Sequence, residues 1–266
     1  MVTTRHIPRR ISAALIACAT LVVSTAGPAY ADLGNCVKPP DHHPHQGAFE
    51  SDVPSTTKGI VARVMVRSPD LCDTPDVYDS GSAVYIMLTN YAFINQTGTQ
   101  VLWQIGYRKN GPSCTRWFMQ YLGAQGQVVD KPSPSCAANG VWHTLVMRRS
   151  PYQGGYAWQS YVLDSTNSYY VWSAPNDPTN LSFPPEDGEF MSEVANPTDQ
   201  SGGSNNYPAY LDNAYWWDSG YSIHYTNFQA SEKRCDRCGT PWPAPNGPYN
   251  TSYPDNSTIR IWTDGF

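Results

Sequence analysis

The sequence predicts an all-β protein built from two packed antiparallel sheets. Twenty-three prolines and twenty glycines are spread along the 266 residues, and no long stretch repeats apolar residues with the period of a helix. Between these turn residues, short runs rich in Val, Ile, Tyr, Trp and Phe recur. This pattern is typical of an antiparallel sandwich or barrel.

Ten segments have the composition of strands. They are 59–66, 82–89, 100–108, 115–123, 141–149, 156–164, 168–173, 189–196, 222–230 and 258–263. Ten strands suit two packed sheets, as in a concanavalin-like jelly roll. The Pro-rich stretches at 174–188 and 236–257 are expected to form loops over one end of the sandwich.

The first 31 residues have the features of a secretory signal peptide. Three arginines precede an apolar run, and Ala29-Tyr30-Ala31 has the small-x-small form of a signal-peptidase site. We therefore expect a signal peptide at 1–31, a Pro/His-rich lead-in at 32–58 and a single β-sandwich domain at 59–266. No later segment approaches 18 apolar residues, so a secreted protein without a membrane span is expected.

The charge of the mature chain argues against nucleic acid as a partner. Removal of the signal peptide lowers the basic count from 17 to 14 against 22 acidic residues, a net charge of −8. Such a surface repels phosphate backbones. The expected partner is a polypeptide or polysaccharide substrate, and the expected assembly state is a monomer.

Six cysteines remain after the signal peptide, which removes Cys18. An even count in an exported chain predicts three disulfides, although six cysteines allow 15 pairings. Pairing of sequence neighbours across turn-rich segments favours Cys36–Cys72, Cys114–Cys136 and Cys235–Cys238. The Cys-x-x-Cys at 235–238 could instead be redox-active or half of a zinc site. No second Cys-x-x-Cys and no βαβ pattern accompany it, which favours a structural clasp.

Strand alternation predicts that Gln104 lies on the face of its strand that points away from the core. In the segment 100–108, Trp103, Ile105 and Tyr107 share one face, which is the obvious core face. Gln104 then lies on the other face, and the same alternation in the next strand places Gln120 there too. Gly106 removes a side chain beside Gln104, which can admit the backbone of a ligand. An amide at this position is therefore a candidate site residue.

Glu193 is the acidic residue that stands out, because it lies inside a strand pattern, EFMSEVAN, rather than in a turn. A solvated edge strand is the other interpretation of this segment. Glu189 and Glu193 share a face but are about 13 Å apart at roughly 3.3 Å per residue. The carboxylates of a glycosidase lie about 5–9.5 Å apart, so these two glutamates cannot form such a pair.

Catalysis by a Ser or Cys nucleophile, or by a bound metal ion, has less support in the sequence than catalysis by these polar side chains. The chain contains no Gly-x-Ser-x-Gly elbow, and its cysteines are better explained as disulfides. Asp41-His42-His43-Pro44-His45 is the one metal-like cluster, and it lies in the Pro-rich lead-in. It is more typical of a solvated tract or an adventitious metal binder than of a site. We expect no functional metal.

The order of these segments resembles that of the glutamic peptidases, the eqolisin family and its neprosin-like relatives, which are two-sheet β-sandwiches. SAVYI at 82–86 is similar to a strand of the form Ala-Trp-Val-Gly, and LWQIGY at 102–107 to a strand with Leu-Gln-x-Gly. RWFMQY at 116–121 corresponds to the family's aromatic strand, and SEV at 192–194 to its strand with the active-site glutamate. The resemblance extends over roughly residues 58–230.

The resemblance implies an acid endopeptidase with a Gln/Glu dyad and no cofactor. Gln104 matches the family's catalytic glutamine and Glu193 its catalytic glutamate. Glu193 would act as general base on the attacking water, and Gln104 would donate an N–H to the oxyanion. Tyr85 stands where the family has a tryptophan, and Gln120 where an acidic residue often supports the site. The residues expected to line the binding site are Tyr85, Arg108, Phe118, Gln120, Trp158 and Met191.

A non-catalytic extracellular module that binds carbohydrate or peptide is the alternative. Nine tryptophans and eighteen tyrosines are many for this length, and aromatic faces stack on sugar rings or prolines. The aromatic residues considered for this role are Trp158, Tyr169, Tyr170, Trp172, Tyr215, Trp216 and Trp217. Sandwich core explains at least half of them equally well. Convergence of Gln104 and Glu193 would separate the enzyme from the binding module.

Overall fold

Alternating apolar residues and frequent turns produce fifteen strands in the part of the chain that the computed structural model describes. The described residues are 45–50, 53–54, 56–71, 81–90, 94, 101–111, 113–122, 128–152, 155–168, 170–174, 185–195, 199–235 and 249–263. The strands are β1 (His45–Glu50), β2 (Gly59–Met65), β3 (Gly81–Thr89), β4 (Leu102–Asn110), β5 (Arg116–Leu122), β6 (Val128–Cys136), β7 (Trp142–Tyr152), β8 (Gly155–Leu163), β9 (Tyr170–Ala174), β10 (Asp187–Val194), β11 (Ala209–Trp217), β12 (Ile223–Tyr225), β13 (Glu232–Cys235), β14 (Tyr249–Asp255) and β15 (Thr258–Thr263).

The strands form two antiparallel sheets, which confirms the predicted all-β sandwich. The seven-stranded sheet has the order β13-β1-β10-β3-β4-β5-β6. The eight-stranded sheet has the order β14-β15-β11-β2-β7-β8-β9, with β12 paired to β11. Because β10 pairs with β3, a strand about a hundred residues earlier, its glutamates lie beside the strands that carry Tyr85 and Gln104.

The main hydrophobic core lies between the two sheets. Trp103, Ile105 and Tyr107 of β4 face it, as strand alternation predicts, together with Trp117 and Met119 of β5. Each large apolar side chain buried in this way stabilises the fold by about 1.5–3 kcal/mol relative to exposure. The even-numbered residues of β4 and β5 consequently point to the opposite, outer face of the seven-stranded sheet.

Five strands are not among the ten that the sequence predicts, and each has a local reason. β1 lies within the predicted lead-in 32–58, and its residues belong to the seven-stranded sheet, where they pair with both β10 and β13. β6 contains two prolines, which an edge strand tolerates because its outer N–H groups need no ladder partner. In β11 a register shift between Asp212 and Tyr215, with Asn213 at a φ of 49°, interrupts the alternation. The remaining two strands are β13, which is short, and β14, which lies within the segment 236–257 that the sequence predicts as a loop.

The bond between Cys114 and Cys136 confirms one predicted disulfide. Their Cα atoms are 5.7 Å apart, and the bond ties the start of β5 to the end of β6, with a sequence separation of 22. Closing a loop of this size in the unfolded chain stabilises the fold by about 3 kcal/mol in the chain-entropy account. The pairings Cys36–Cys72 and Cys235–Cys238 involve side chains outside the described residues and stay predictions.

Residues 1–44 also lie outside the described part, so the signal peptide and the start of the lead-in stay predictions. Residues from 45 onward belong to one compact unit. Where the chain is described, no helix is long and apolar enough to cross a membrane.

His143 is a buried histidine in the core between the sheets. Its ring packs edge-on against Trp117 at 4.9 Å, and its Nδ1 lies 3.2 Å from the carbonyl oxygen of Leu163. Among the described residues none forms a hydrogen bond with its Nε2, which is fully buried. Burial lowers the pKa of His143 below its ordinary value, although the Leu163 carbonyl and Asp164 oppose this shift.

We expect His143 to make the fold less stable as the pH falls below about 6.5, the pKa of an unfolded-state histidine. Below that pH the unfolded chain binds a proton that the folded core does not, so the free energy of unfolding decreases by up to about 1.4 kcal/mol per pH unit. Thermal unfolding between pH 8 and 5 should therefore show a smaller pH dependence in His143→Gln than in the wild type. His224→Gln, at an exposed histidine, is the control. Equal slopes in His143→Gln and wild type would contradict this assignment.

Candidate active site

The outer face of the seven-stranded sheet carries a second, smaller apolar cluster. Tyr85 and Met87 of β3, Phe118 of β5 and Met191 of β10 form it, and all four side chains are buried. None of them belongs to the core between the sheets. A buried apolar floor on the outer face of a sheet is the kind of surface on which a ligand site can form.

Strand register places a buried glutamate in the same cross-strand row as Gln104. Glu189 of β10 lies opposite Met87 of β3, and Met87 lies opposite Gln104 of β4. The row continues to Gln120 of β5 and Asp130 of β6. Because directly opposite residues point to the same side of a sheet, these side chains share the outer face. Gln104 is 7% exposed and Glu189 is 1% exposed.

Gln104 and Gln120 are joined by a hydrogen bond. The Nε2 of Gln104 donates to the Oε1 of Gln120 over 2.5 Å. A primary amide carries two N–H donors, so this bond fixes the orientation of the Gln104 amide and leaves its second N–H for another acceptor. The buried amide is thus held with a donor available beside Met87.

Glu193 lies in a different row. It is opposite Ala83 of β3, which is opposite Arg108 of β4. Glu189 is two strands away from Gln104, which separates their Cα atoms by about 9.6 Å. Glu193 is four residues further along β10, so its Cα atom is about 16 Å from that of Gln104. The register therefore brings Gln104 together with Glu189 and does not bring it into one row with Glu193. The structure does not test the catalytic role that the sequence resemblance implies for Glu193.

Most of the predicted binding residues lie on this face. Tyr85, Phe118 and Met191 belong to its apolar cluster, and Gln120 is bonded to Gln104. Arg108 lies with its guanidinium carbon 4.9 Å from the centre of the Phe118 ring and forms an ion pair with Asp130.

Trp158, which is also predicted to line the binding site, does not lie on this face. Its ring packs edge-on against Trp103 at 5.1 Å, and it lies against the core between the sheets. Trp103 points to the opposite side of β4 from Gln104. Trp158 therefore supports the floor of the sheet from within and contacts no ligand on the outer face.

Gly106 has a packing role that alternation alone does not show. It lies opposite Tyr85, and a Cβ at this position would lie 2.1 Å from the carbonyl oxygen of Val84 and 2.7 Å from the Cα of Tyr85. Strands β3 and β4 can approach this closely only because residue 106 has no side chain. The glycine thus fixes the position of the Tyr85 ring beside Gln104.

We expect Gly106→Ala to separate β3 from β4 and to lower stability by more than about 1 kcal/mol, since the clash involves backbone atoms. Urea unfolding of the wild type and of Gly106→Ala would check this. Gly111→Ala is the control, because Gly111 lies in a turn with open space around it. There an added Cβ meets no other atom, and only the positive φ of the residue adds strain. An unchanged stability in Gly106→Ala would contradict the packing role.

Sequence reasoning missed Glu189 and Asp187 as site residues. Asp187, Glu189 and Met191 alternate along β10 on the face of Met87 and Gln104, and both carboxylates are buried. The alternation of acidic with apolar residues along this strand is the sequence feature that could have indicated these site residues. The choice between the two glutamates depends on the register of β10 against β3, which the sequences of the two segments do not predict.

Within the described ranges, no group of three or more His, Cys, Asp or Glu side chains could hold a metal ion. In the metal-like tract 41–45, residues 41–44 and the side chain of His45 lie outside the described part, so that interpretation stays untested. The Gln104 amide suits oxyanion stabilisation, and the Glu189 carboxylate suits proton transfer.

The arrangement of strands is similar to that of a solved peptidase. The crystal structure of scytalido-glutamic peptidase with a peptide-based transition state analogue superposes with a TM-score of 0.56 at 10% sequence identity, covering 84% of this chain and 98% of that chain. No protein-family model and no curated protein sequence matches this chain. The likeness shows that the chain has a glutamic peptidase-like two-sheet fold.

Proposed function

We propose that this protein is an exported peptidase of the glutamic type that uses Gln104 and Glu189 as its catalytic pair. The observation that carries the proposal is the cross-strand row of Glu189, Met87 and Gln104 on the outer face of the seven-stranded sheet. The side chains at the two ends of this row can both reach a carbonyl group that lies over Met87. The glutamic peptidase-like fold supports a polypeptide as substrate.

The chemistry divides between the two side chains. Glu189 acts as general base, takes a proton from a water that attacks the peptide carbonyl, and later returns it to the leaving amine. Gln104 donates its second N–H to the oxyanion of the tetrahedral intermediate. An amide suits this position because it donates without a negative charge that would repel the oxyanion. Burial of both groups strengthens their electrostatic interactions with the reacting atoms.

Gln120 has a positioning role in this proposal. It accepts a hydrogen bond from Gln104 and so directs the amide without adding charge. The glutamic peptidases often have an acidic residue at this position, and Gln120 supplies a neutral acceptor in its place.

We also propose that the protein acts outside the cell. The predicted signal peptide supports export, and the Cys114–Cys136 disulfide is of a kind that persists in oxidising compartments. The acidic mature chain makes nucleic acid an unsuitable partner. The proposed assembly state is a monomer.

The experiment that tests the function is incubation of the purified mature chain with a denatured protein from pH 2 to 7. Mass spectrometry of the products should show new peptide termini, with the highest rate at acid pH. Retention of the denatured protein without cleavage at any pH would contradict the peptidase and favour a binding module.

One observation favours a binding module as the second candidate. A cross-strand row on the outer face of the eight-stranded sheet contains Tyr161, Val146, Val61, Tyr215 and Tyr225. Tyr225 is 74% exposed, and such rings suit stacking on sugars or prolines. Of the other aromatic residues considered, Tyr170 stacks on Tyr161 and Trp217 packs beside Tyr215, whereas Trp216 lies against the core.

A further inference from the structure

A row of charged residues lies beyond the apolar cluster on the outer face of the seven-stranded sheet. Arg108 of β4 is directly opposite Arg116 of β5, and the same row contains Ala83 and Glu193. Arg108 and Gln104 are four residues apart on one strand. The two arginines therefore share the face of the proposed catalytic pair, with Phe118 and Tyr85 between them and Gln104.

The two guanidinium groups are unequally compensated. Arg108 forms an ion pair with Asp130 and lies over the ring of Phe118. Arg116 is half-buried, and in the described ranges no side chain forms an ion pair or hydrogen bond with its guanidinium. A ligand carboxylate beside Arg116 would neutralise the one guanidinium of the two that has no acidic partner in the described ranges.

The spacing of the rows matches that of an extended peptide. Successive same-face residues of a strand are about 6.7 Å apart, which is also the distance between alternate side chains of an extended ligand. A peptide lying along β4 with its reacting carbonyl over Met87 would place one side chain on Tyr85, Gly106 and Phe118. The next same-face group, about 13 Å from the reacting carbonyl, would lie at the two arginines.

We propose that Arg108 and Arg116 form a subsite for a carboxylate about four residues to one side of the scissile bond. The position relative to the scissile bond rests on the proposed function, whereas binding of the carboxylate does not. Arg116 supplies the free guanidinium, and Arg108, held by Asp130 and Phe118, supplies a second donor. The carboxylate can come from an Asp or Glu side chain or from the C-terminus of a peptide.

Binding of matched peptides to the Glu189→Gln variant tests the subsite, because this variant is expected to leave peptides intact. Three peptides of one sequence carry Glu with an amidated C-terminus, Gln with an amidated C-terminus, or Gln with a free C-terminal carboxylate at the same position. We expect at least one carboxylate peptide to bind about tenfold or more tightly than the uncharged one at low salt. The two carboxylate peptides separate the two sources.

Substitution of Arg116 identifies the residue responsible. In the Glu189→Gln background, Arg116→Gln should abolish the preference, and Arg116→Lys should keep part of it because it retains the charge without the bidentate fork. Arg148→Gln removes the same charge from β7 in the other sheet and should leave the preference intact. The preference should also decline below about pH 4, where the ligand carboxyl becomes protonated.

The possible results distinguish failure of the carboxylate subsite from failure of the proposed peptidase function. Equal binding of charged and uncharged peptides, or a preference that survives Arg116→Gln, would overturn the subsite. A preference that depends on Arg116 in a protein whose wild type cleaves no peptide would support the subsite and contradict the peptidase. If Arg116→Gln is less stable than its parent, Arg116→Lys carries the comparison: a partial loss of the preference supports the subsite, and an unchanged preference would overturn it.

Discussion

Glu189→Gln is expected to lower kcat for peptide hydrolysis by about 10²–10⁴-fold, the range for removal of a general base. The substitution keeps the size of the side chain and removes its ability to accept a proton. Because Glu189 is almost completely buried on the floor of the proposed site, no water-exposed group can readily replace it. Single-turnover hydrolysis of a fluorogenic peptide would measure the loss, with KM little changed.

Glu193→Gln is the matched control for this prediction. It makes the same chemical change on the same strand and the same face, four residues away, in the row of Ala83 and Arg108. We expect it to retain kcat within a few-fold of the wild type. The reverse order of effects, with Glu193→Gln inactive and Glu189→Gln active, would restore the pairing that the sequence resemblance implies and refute the one based on register.

Gln104→Ala is expected to lower kcat by about 10²–10³-fold, the loss found when one oxyanion donor is removed. The ground-state carbonyl needs this donor less than the oxyanion does, so KM should change little. Gln104→Glu should be at least as damaging, because it replaces the donor by a group that repels the oxyanion. Pre-steady-state rates measured with the same fluorogenic peptide would check both.

Gln120→Ala separates a positioning role from a catalytic one. Gln120 contacts Gln104 and is assigned no contact with the reacting atoms, so its loss should reduce kcat less than Gln104→Ala does. In the double variant the effects should not add, because without Gln104 there is no donor for Gln120 to orient. Additive effects, or a loss in Gln120→Ala that exceeds that of Gln104→Ala, would argue against the oxyanion role of Gln104.

The faces of individual strands could be predicted from the sequence, because alternation is a local property. Trp103, Ile105 and Tyr107 point to the core as expected, and Gln104 and Gln120 lie together on the outer face. These two strands are joined by a short turn, so their register follows from neighbouring residues.

The partner of Gln104 could not be predicted in the same way. The choice between Glu189 and Glu193 depends on the register of β10 against β3, two segments about a hundred residues apart. A shift of four residues along β10 preserves the face of every side chain and exchanges the two glutamates, so the hydrophobic pattern does not distinguish them.

Two further features could not be predicted from the sequence, for related reasons. β11 pairs with both β2 and β15 within its sheet, but the irregularity at Asn213 breaks the alternation that identifies a strand. Trp158 has the composition of a binding residue, and only its contact with Trp103 places it inside the sandwich. Aromatic residues suit both a core and a sugar-binding surface, so composition alone does not separate the two.

A crystal structure of the mature protein with a peptide-based transition-state analogue would locate the catalytic pair. We expect the tetrahedral oxygen of the analogue to lie about 2.7–3.1 Å from the Nε2 of Gln104 and a second oxygen to contact the carboxylate of Glu189 over Met87. An analogue bound against Glu193, or on the outer face of the eight-stranded sheet, would contradict this expectation.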